Sequence, residues 1–230
     1  MNQIYRSNGI QIKKEFMEPI EEESKNKSAY RLGNFIYKYL KNTSKEHQEW
    51  IKYLIKVSPH YQHTLFPIDY FKDEENNFCG IILKNIHNPS SINSLSPIQF
   101  YKNLQQINQE FQKYKQDGIL PIDTGYHNSK VQNHQIYIFD TDEFQPNSNY
   151  DVSICFNHYG YDLLKNILFQ KCQSQNEIEL LNQYFEQIKS TISCLKYIEE
   201  TVLSYQTLEE FASITKETIT QSQNKKTNRR

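Results

Sequence analysis

What this 230-residue chain lacks narrows its class before any motif is read. Hydrophobic residues make up only 37%. No run of them is long enough to span a bilayer, so no membrane segment is expected. The N-terminal MNQIYRSNGIQIKKEF has no apolar h-region, and a signal peptide is not expected. The four cysteines, Cys79, Cys155, Cys172 and Cys194, include no CxxC pair. That argues against a structural zinc site and a disulfide framework and suits a reducing, cytoplasmic compartment. A formal net charge of -1 supplies no basic field for nucleic acid. Seventeen Tyr and thirteen Phe are present, and their large apolar bodies predict a folded globule rather than a disordered chain.

Periodicity divides the chain in two. Residues 8–17 (NGIQIKKEFM) read as a strand, 18–28 as a charged loop, and AYRLGNFIYKYL as two strands around a Gly33-Asn34 turn. Ser44 opens a helix with Trp50, Leu54 and Val57 on one face, closed by Pro59. HTLFPIDYF and NFCGIILKNI read as two more strands. Residues 87–97 are rich in Ser, Asn and Pro and read as a connector. Ser96-Pro97 then opens an amphipathic helix through Phe100, Leu104, Ile107, Phe111 and Tyr114, with Gly118 as its stop. After residue 150 the pattern is helical, with one long helix expected over about 176–205 and a last one opening at Thr207. The expected organisation is a β-rich N-terminal lobe (1–86), a hinge (87–97), a helical C-terminal lobe carrying one hairpin (98–218), and a disordered basic tail (219–230).

The hairpin and its two polar ends make up DTGYHNSKVQNHQIYIFDTD, residues 123–142. Asp and Asn favour turns, which is the plain explanation. The spacing allows another. Asp123-x-x-x-x-Asn128, followed by a strand that leads into Asp140, resembles the catalytic loop and metal-binding Asp of the protein-kinase-like superfamily. The resemblance covers about residues 8 to 200. It extends to Lys38 in the third strand, where that superfamily places its phosphate-contacting lysine, and to Glu46 or Glu49 on the next helix as its partner. Leu83 and Asn85, at the end of the fifth strand, correspond to the hinge that meets adenine.

The resemblance implies an α+β, bilobal protein-kinase-like fold and an ATP- and Mg²⁺-dependent phosphotransferase acting on a protein or small-molecule hydroxyl. Asp123 would engage the acceptor, while Asn128, Asp140 and the helper Asp142 would bind metal. The chain departs from the pattern at four places. The His-Arg before the catalytic Asp is absent, Thr141-Asp142 replaces Phe-Gly, no A-P-E motif follows, and Glu18-Pro19-Ile20-Glu21-Glu22-Glu23 stands where a Gly-rich loop belongs. Acidic side chains there would repel phosphate. The same residues therefore also suit a catalytically inactive, pseudokinase-type binding module. His60-x-x-His63, Cys155-x-x-His158 and the loop residue His127 read as surface or packing residues, since no further ligands stand at zinc spacing.

Overall fold

A computed structural model describes residues 3–20, 28–41 and 43–227. The chain is an α+β protein in two compact units: Met1–Pro89 with Tyr137–Pro146, and Ser90–Ile136 with Asn147–Arg230.

The first unit is built on an antiparallel sheet. Its strands are β1 (Gln3–Arg6), β2 (Gln11–Lys13), β3 (Glu18–Ile20), β4 (Ser28–Leu32), β5 (Phe35–Tyr39), β6 (Asp69–Lys72) and β7 (Phe78–Lys84), in the order β2-β1-β6-β7-β5-β4-β3. Several strand expectations change here. The 8–17 strand shrinks to β2, because the chain turns at Ser7–Gly9 and a 3₁₀ turn begins at Lys14. β1 was not anticipated. It finds its partners on both sides, β2 and the distant β6, so no local pattern announces it. Glu18–Ile20 is an edge strand paired with β4 rather than loop, and Pro19 is tolerated because an edge strand can spare an N–H. The rest of the expected 18–28 loop, residues 21–27, lies outside the described residues. Of HTLFPIDYF only the end is strand, since Pro67 interrupts it.

Alternation in β5 decides which side chains meet. Tyr37 faces a cluster with Ile4, Met17, Phe71 and Ile82. Lys38 therefore faces the opposite side, opposite Ile81 across the strand pair. The sheet is tight at this point. A Cβ on Gly80 would stand 2.1 Å from the Lys38 carbonyl oxygen and 2.8 Å from the Phe71 ring, so only glycine lets β7 approach β5 so closely.

Helix α1 (Lys45–Val57) follows β5, with Ser44 capping it by accepting the His47 N–H at 3.2 Å. Its buried face is Ile51, Leu54 and Val57. Trp50 sits beside that face and spends its indole N–H on the Phe144 carbonyl at 2.5 Å.

The second unit is helical. It comprises α2 (Pro97–Gln116), the short β8 (Ile119–Leu120), the hairpin strands β9 (Ser129–Gln132) and β10 (Gln135–Ile138), and helices α3 (Val152–Phe169), α4 (Gln175–Lys189), α5 (Cys194–Glu200) and α6 (Leu208–Thr227). The end of β10 and the 3₁₀ turn after it belong to the first unit. Ser96 and Gln99 form a full capping box at the start of α2. The five apolar positions of α2 named above are all buried, and α2 packs on α3 and α5. Asn133 and His134 both take positive φ, as a two-residue hairpin turn requires.

Two helical expectations are corrected. The 176–205 stretch is broken after Lys189, because Ser193 caps a new helix through the Lys196 N–H at 3.4 Å. The tail expected to be disordered is helical as far as Thr227, since Gln and Lys are good helix formers even without an apolar face. Among the described residues no helix is long and apolar enough to cross a membrane.

Candidate functional site

The polar centre of the first unit is Lys38. Its ammonium donates to both Asp140 and Asp142, the latter at 2.8 Å. The Lys38 side chain is 6% exposed, Asp142 3% and Asp140 34%. A buried lysine is costly unless paired, and here two carboxylates meet it. Burial alone would push the Lys38 pKa down. The charges of Asp142 and then Asp140, with their hydrogen bonds, outweigh it and hold the group above the ordinary lysine range. Lys38 is therefore a fixed cation at neutral pH.

Local bonds put the two aspartates there. The segment before β6 and the end of β10 clasp one another. The Ile138 N–H donates to the His63 carbonyl at 2.7 Å, and the Leu65 N–H donates to the Ile138 carbonyl at 2.8 Å. The fully buried Thr141 donates its hydroxyl to the Leu65 carbonyl at 2.9 Å. Phe144 packs edge-on against Phe66 and accepts the Trp50 indole N–H. Between these anchors Asp140 takes the left-handed conformation, φ 59° and ψ 42°, and a 3₁₀ turn follows at Thr141–Glu143. That turn aims Asp142 inward.

The expected glutamate partners do not reach Lys38. Glu49 pairs with the exposed Lys52 at 2.6 Å and is itself 71% exposed. Glu46 is exposed at the first turn of α1. There the hydrogen bond from its own backbone N–H, and then that from the Ser44 hydroxyl, hold its carboxyl below the usual range. The cause lies in the face that α1 buries. Ile51, Leu54 and Val57 turn to the sheet, which sends positions 46 and 49 to solvent. Asp142, expected only as a helper, takes the partner's place.

At the proposed hinge, Leu83 is half-buried and lies opposite Ile36. Asn85 is buried, and its backbone N–H donates to the Asn34 carbonyl at 2.9 Å. That N–H closes the β4–β5 turn region and is committed within the protein. Asn85 thus serves the fold at the position where a nucleotide contact was expected.

In the second unit, Asp123 and Asn128 share one loop. The Asn128 amide donates to the Asp123 carbonyl at 2.8 Å and to its carboxylate at 3.3 Å. Asp123 is mostly exposed, takes φ 54°, and its carboxylate meets His127 Nε2 at 3.1 Å. Left-handed backbone at a non-glycine residue is uncommon, and Asp is among the residues that tolerate it. The loop rests on Asp162 of α3, which accepts the Tyr126 N–H at 2.8 Å. A Cβ on Gly125 would stand 2.8 Å from that carboxylate, so glycine permits the approach. Asp162 carries no signal in the sequence, where it is a solitary acid within a helix. Asp142 was visible there, but its depth was not.

No protein-family model matches this chain, and no curated protein does either.

A magnesium ion demands hard oxygen ligands and takes only one or two carboxylates beside phosphate and water. Asp140 fits that donor chemistry. It supplies carboxylate oxygens on a side chain with partial solvent access, next to a fixed cation able to share a phosphate's charge. Among the described residues there is no cluster of three or more His, Cys, Asp or Glu that would hold a metal without help from a ligand.

Proposed function

We propose that the chain is a protein-kinase-like, ATP- and Mg²⁺-dependent phosphotransferase acting on a protein or small-molecule hydroxyl. The observation that carries this reading is the buried Lys38 in the middle of an antiparallel sheet, bound to Asp140 at the end of the hairpin strand. A purely structural sheet has little use for a buried cation with two acids. Phosphoryl transfer needs charge neutralisation and alignment more than covalent chemistry, and such a group offers both. On this reading Lys38 would contact nucleotide phosphates. Asp140 would hold the metal, which when bound neutralises phosphate charge. Asp142 would keep Lys38 charged and in place. Asp123 would accept or orient the acceptor's proton, aided by the hydrogen bond from Asn128. The left-handed backbone at both Asp123 and Asp140 supports the reading, since such conformations gather at functional sites.

A second reading, a catalytically inactive binding module of the same class, is favoured by two observations. Lys38 already donates to two carboxylates, and the Asn85 N–H is committed internally. Thermal unfolding titrated with ATP, with and without Mg²⁺, separates the two. A ligand at about 100 times its dissociation constant adds about 2.7 kcal/mol. A magnesium-dependent rise of that size, lost in Asp140→Ala, is the expected result. An unchanged unfolding temperature at millimolar nucleotide would overturn the phosphotransferase reading in favour of the binding module.

A further inference from the structure

The seven-stranded sheet of the first unit cannot be flat. Its edge strands, β2 and β3, stand six strand spacings apart in the order β2-β1-β6-β7-β5-β4-β3. At about 4.8 Å per spacing, a flat sheet would part them by about 29 Å. Yet β2 ends at Lys13 and β3 begins at Glu18. The chain between those two residues reaches about 18 Å at most, and a 3₁₀ turn at Lys14–Phe16 shortens the path further. The sheet therefore curls until its two edges lie within reach of residues 14–17, which cross the remaining seam. Among the described residues no ladder joins β2 to β3 across it.

The crossing residues divide by side. A 3₁₀ turn stacks positions three apart, so Lys14 and Met17 turn to the sheet while Glu15 and Phe16 face water, Phe16 at 64% exposed. Met17 is buried in the cluster of Ile4, Tyr37, Phe71 and Ile82, with Ile12 packed against it. The Met17 N–H donates to the Lys14 carbonyl at 3.0 Å. The Lys14 ammonium lies 4.6 Å from the centroid of the Tyr30 ring and 5.2 Å from that of Tyr39. These rings belong to β4 and β5 and stand edge to face at 76°. Among the described residues no carboxylate pairs with Lys14, whereas its neighbour Lys13 meets Glu15 at 3.7 Å. The hold of Lys14 on the sheet is thus a cation–π contact, and it depends on the charge.

We infer that residues 14–17 are a strap that closes the curled sheet along this seam, locked by Lys14 on Tyr30 and Tyr39, and that the strap opens as a unit while the rest of the sheet stays folded. Its anchorage is slight. Both flanking strands are three residues long, and Pro19 brings no N–H to β3. Release draws one large apolar side chain, Met17, from the interior, whereas global unfolding exposes the whole core, so the strap opens at a lower free energy. The open strap uncovers the inner face of the sheet at Ile4 and Tyr37, which are shut from water when it is closed.

The test is hydrogen exchange of the full chain, followed amide by amide by NMR, with urea added below the unfolding transition. Met17, whose N–H closes the strap turn, is expected to exchange faster than the amides of β7 in the middle of the sheet. Its rate should depend little on urea, because a local opening exposes little surface. Lys14→Gln removes the charge and should speed Met17 exchange roughly fivefold or more. Lys14→Arg keeps a cation over the rings and should stay within about twofold of the parent. Met17 exchange that matches β7 in rate and in urea dependence would overturn the strap as a separate unit, without any variant. Unchanged Met17 exchange in a Lys14→Gln chain that still folds, or equal acceleration by Arg and Gln, would overturn Lys14 as its lock.

Discussion

Removing Asp142 should be far more damaging than removing Asp140, although both carboxylates bind the same ammonium. Asp142 is 3% exposed and Lys38 6%, while Asp140 keeps a third of its side chain in solvent. Breaking a buried ion pair by deleting one partner costs about 3–5 kcal/mol, because the other charge is left without compensation. A partly solvated partner is worth only about 1 kcal/mol, since water screens it. Asp142→Ala is therefore expected to lose about 3 kcal/mol or more, and Asp140→Ala about 1 kcal/mol. The assay is urea unfolding followed by tryptophan fluorescence. The single tryptophan, Trp50, is bonded to Phe144 of the very segment that carries both aspartates. With a slope of about 2–3 kcal/mol per molar urea, Asp142→Ala should move the midpoint by about 1 M or more. The double variant Lys38→Met with Asp142→Leu should recover most of the loss, because an apolar pair of similar volume removes both desolvation costs. Alkaline pH gives a second check. The folded Lys38 holds its proton more tightly than the unfolded chain does. Its contribution is therefore complete below the ordinary lysine value, about 10.4, and is lost as pH rises above it. In Asp142→Ala the main counterweight to burial is gone, so the alkaline loss should begin at lower pH. Equal midpoints for the two single variants, or a loss below about 1 kcal/mol in Asp142→Ala, would refute this account of Lys38.

Two further outcomes concern the same sheet. Gly80→Ala should destabilise the first unit by about 1–3 kcal/mol or more, because the added Cβ overlaps the Lys38 carbonyl and nothing flexible can yield; a midpoint unchanged in urea would contradict the close approach of β7 to β5. Tyr39→Phe should stabilise by about 1 kcal/mol, because the Tyr39 hydroxyl is buried without a partner among the described residues. Burial raises that hydroxyl to about 12, so an ultraviolet titration should show the parent ionising one late tyrosine that the variant lacks.

Part of the molecule is set by short-range pattern. Alternation in FIYKY sets Tyr37 and Lys38 on opposite faces wherever that strand is placed, since side chains alternate with period two. Ser44 caps α1, and Ser96 with Pro97 and Gln99 opens α2, because a cap needs only its own neighbours to satisfy the first helical N–H groups. The Asp123-x-x-x-x-Asn128 spacing likewise suffices to bring the Asn128 amide to the Asp123 carbonyl within one loop. What pattern could not supply was every choice among distant partners. β1 exists because β2 and β6 flank it. Residues 137–146 join the first unit because Thr141 and Ile138 bond to residues more than 70 positions earlier. Lys38 had acidic candidates a few residues on, at Glu46 and Glu49, yet it takes Asp140 and Asp142, more than 100 residues away. The reason is burial: α1 commits its apolar face to the sheet and turns its glutamates to water, whereas the turn at Thr141 drives Asp142 into the interior, where a buried ammonium requires a charge. Residue types and spacing supplied the candidates, and packing chose among them.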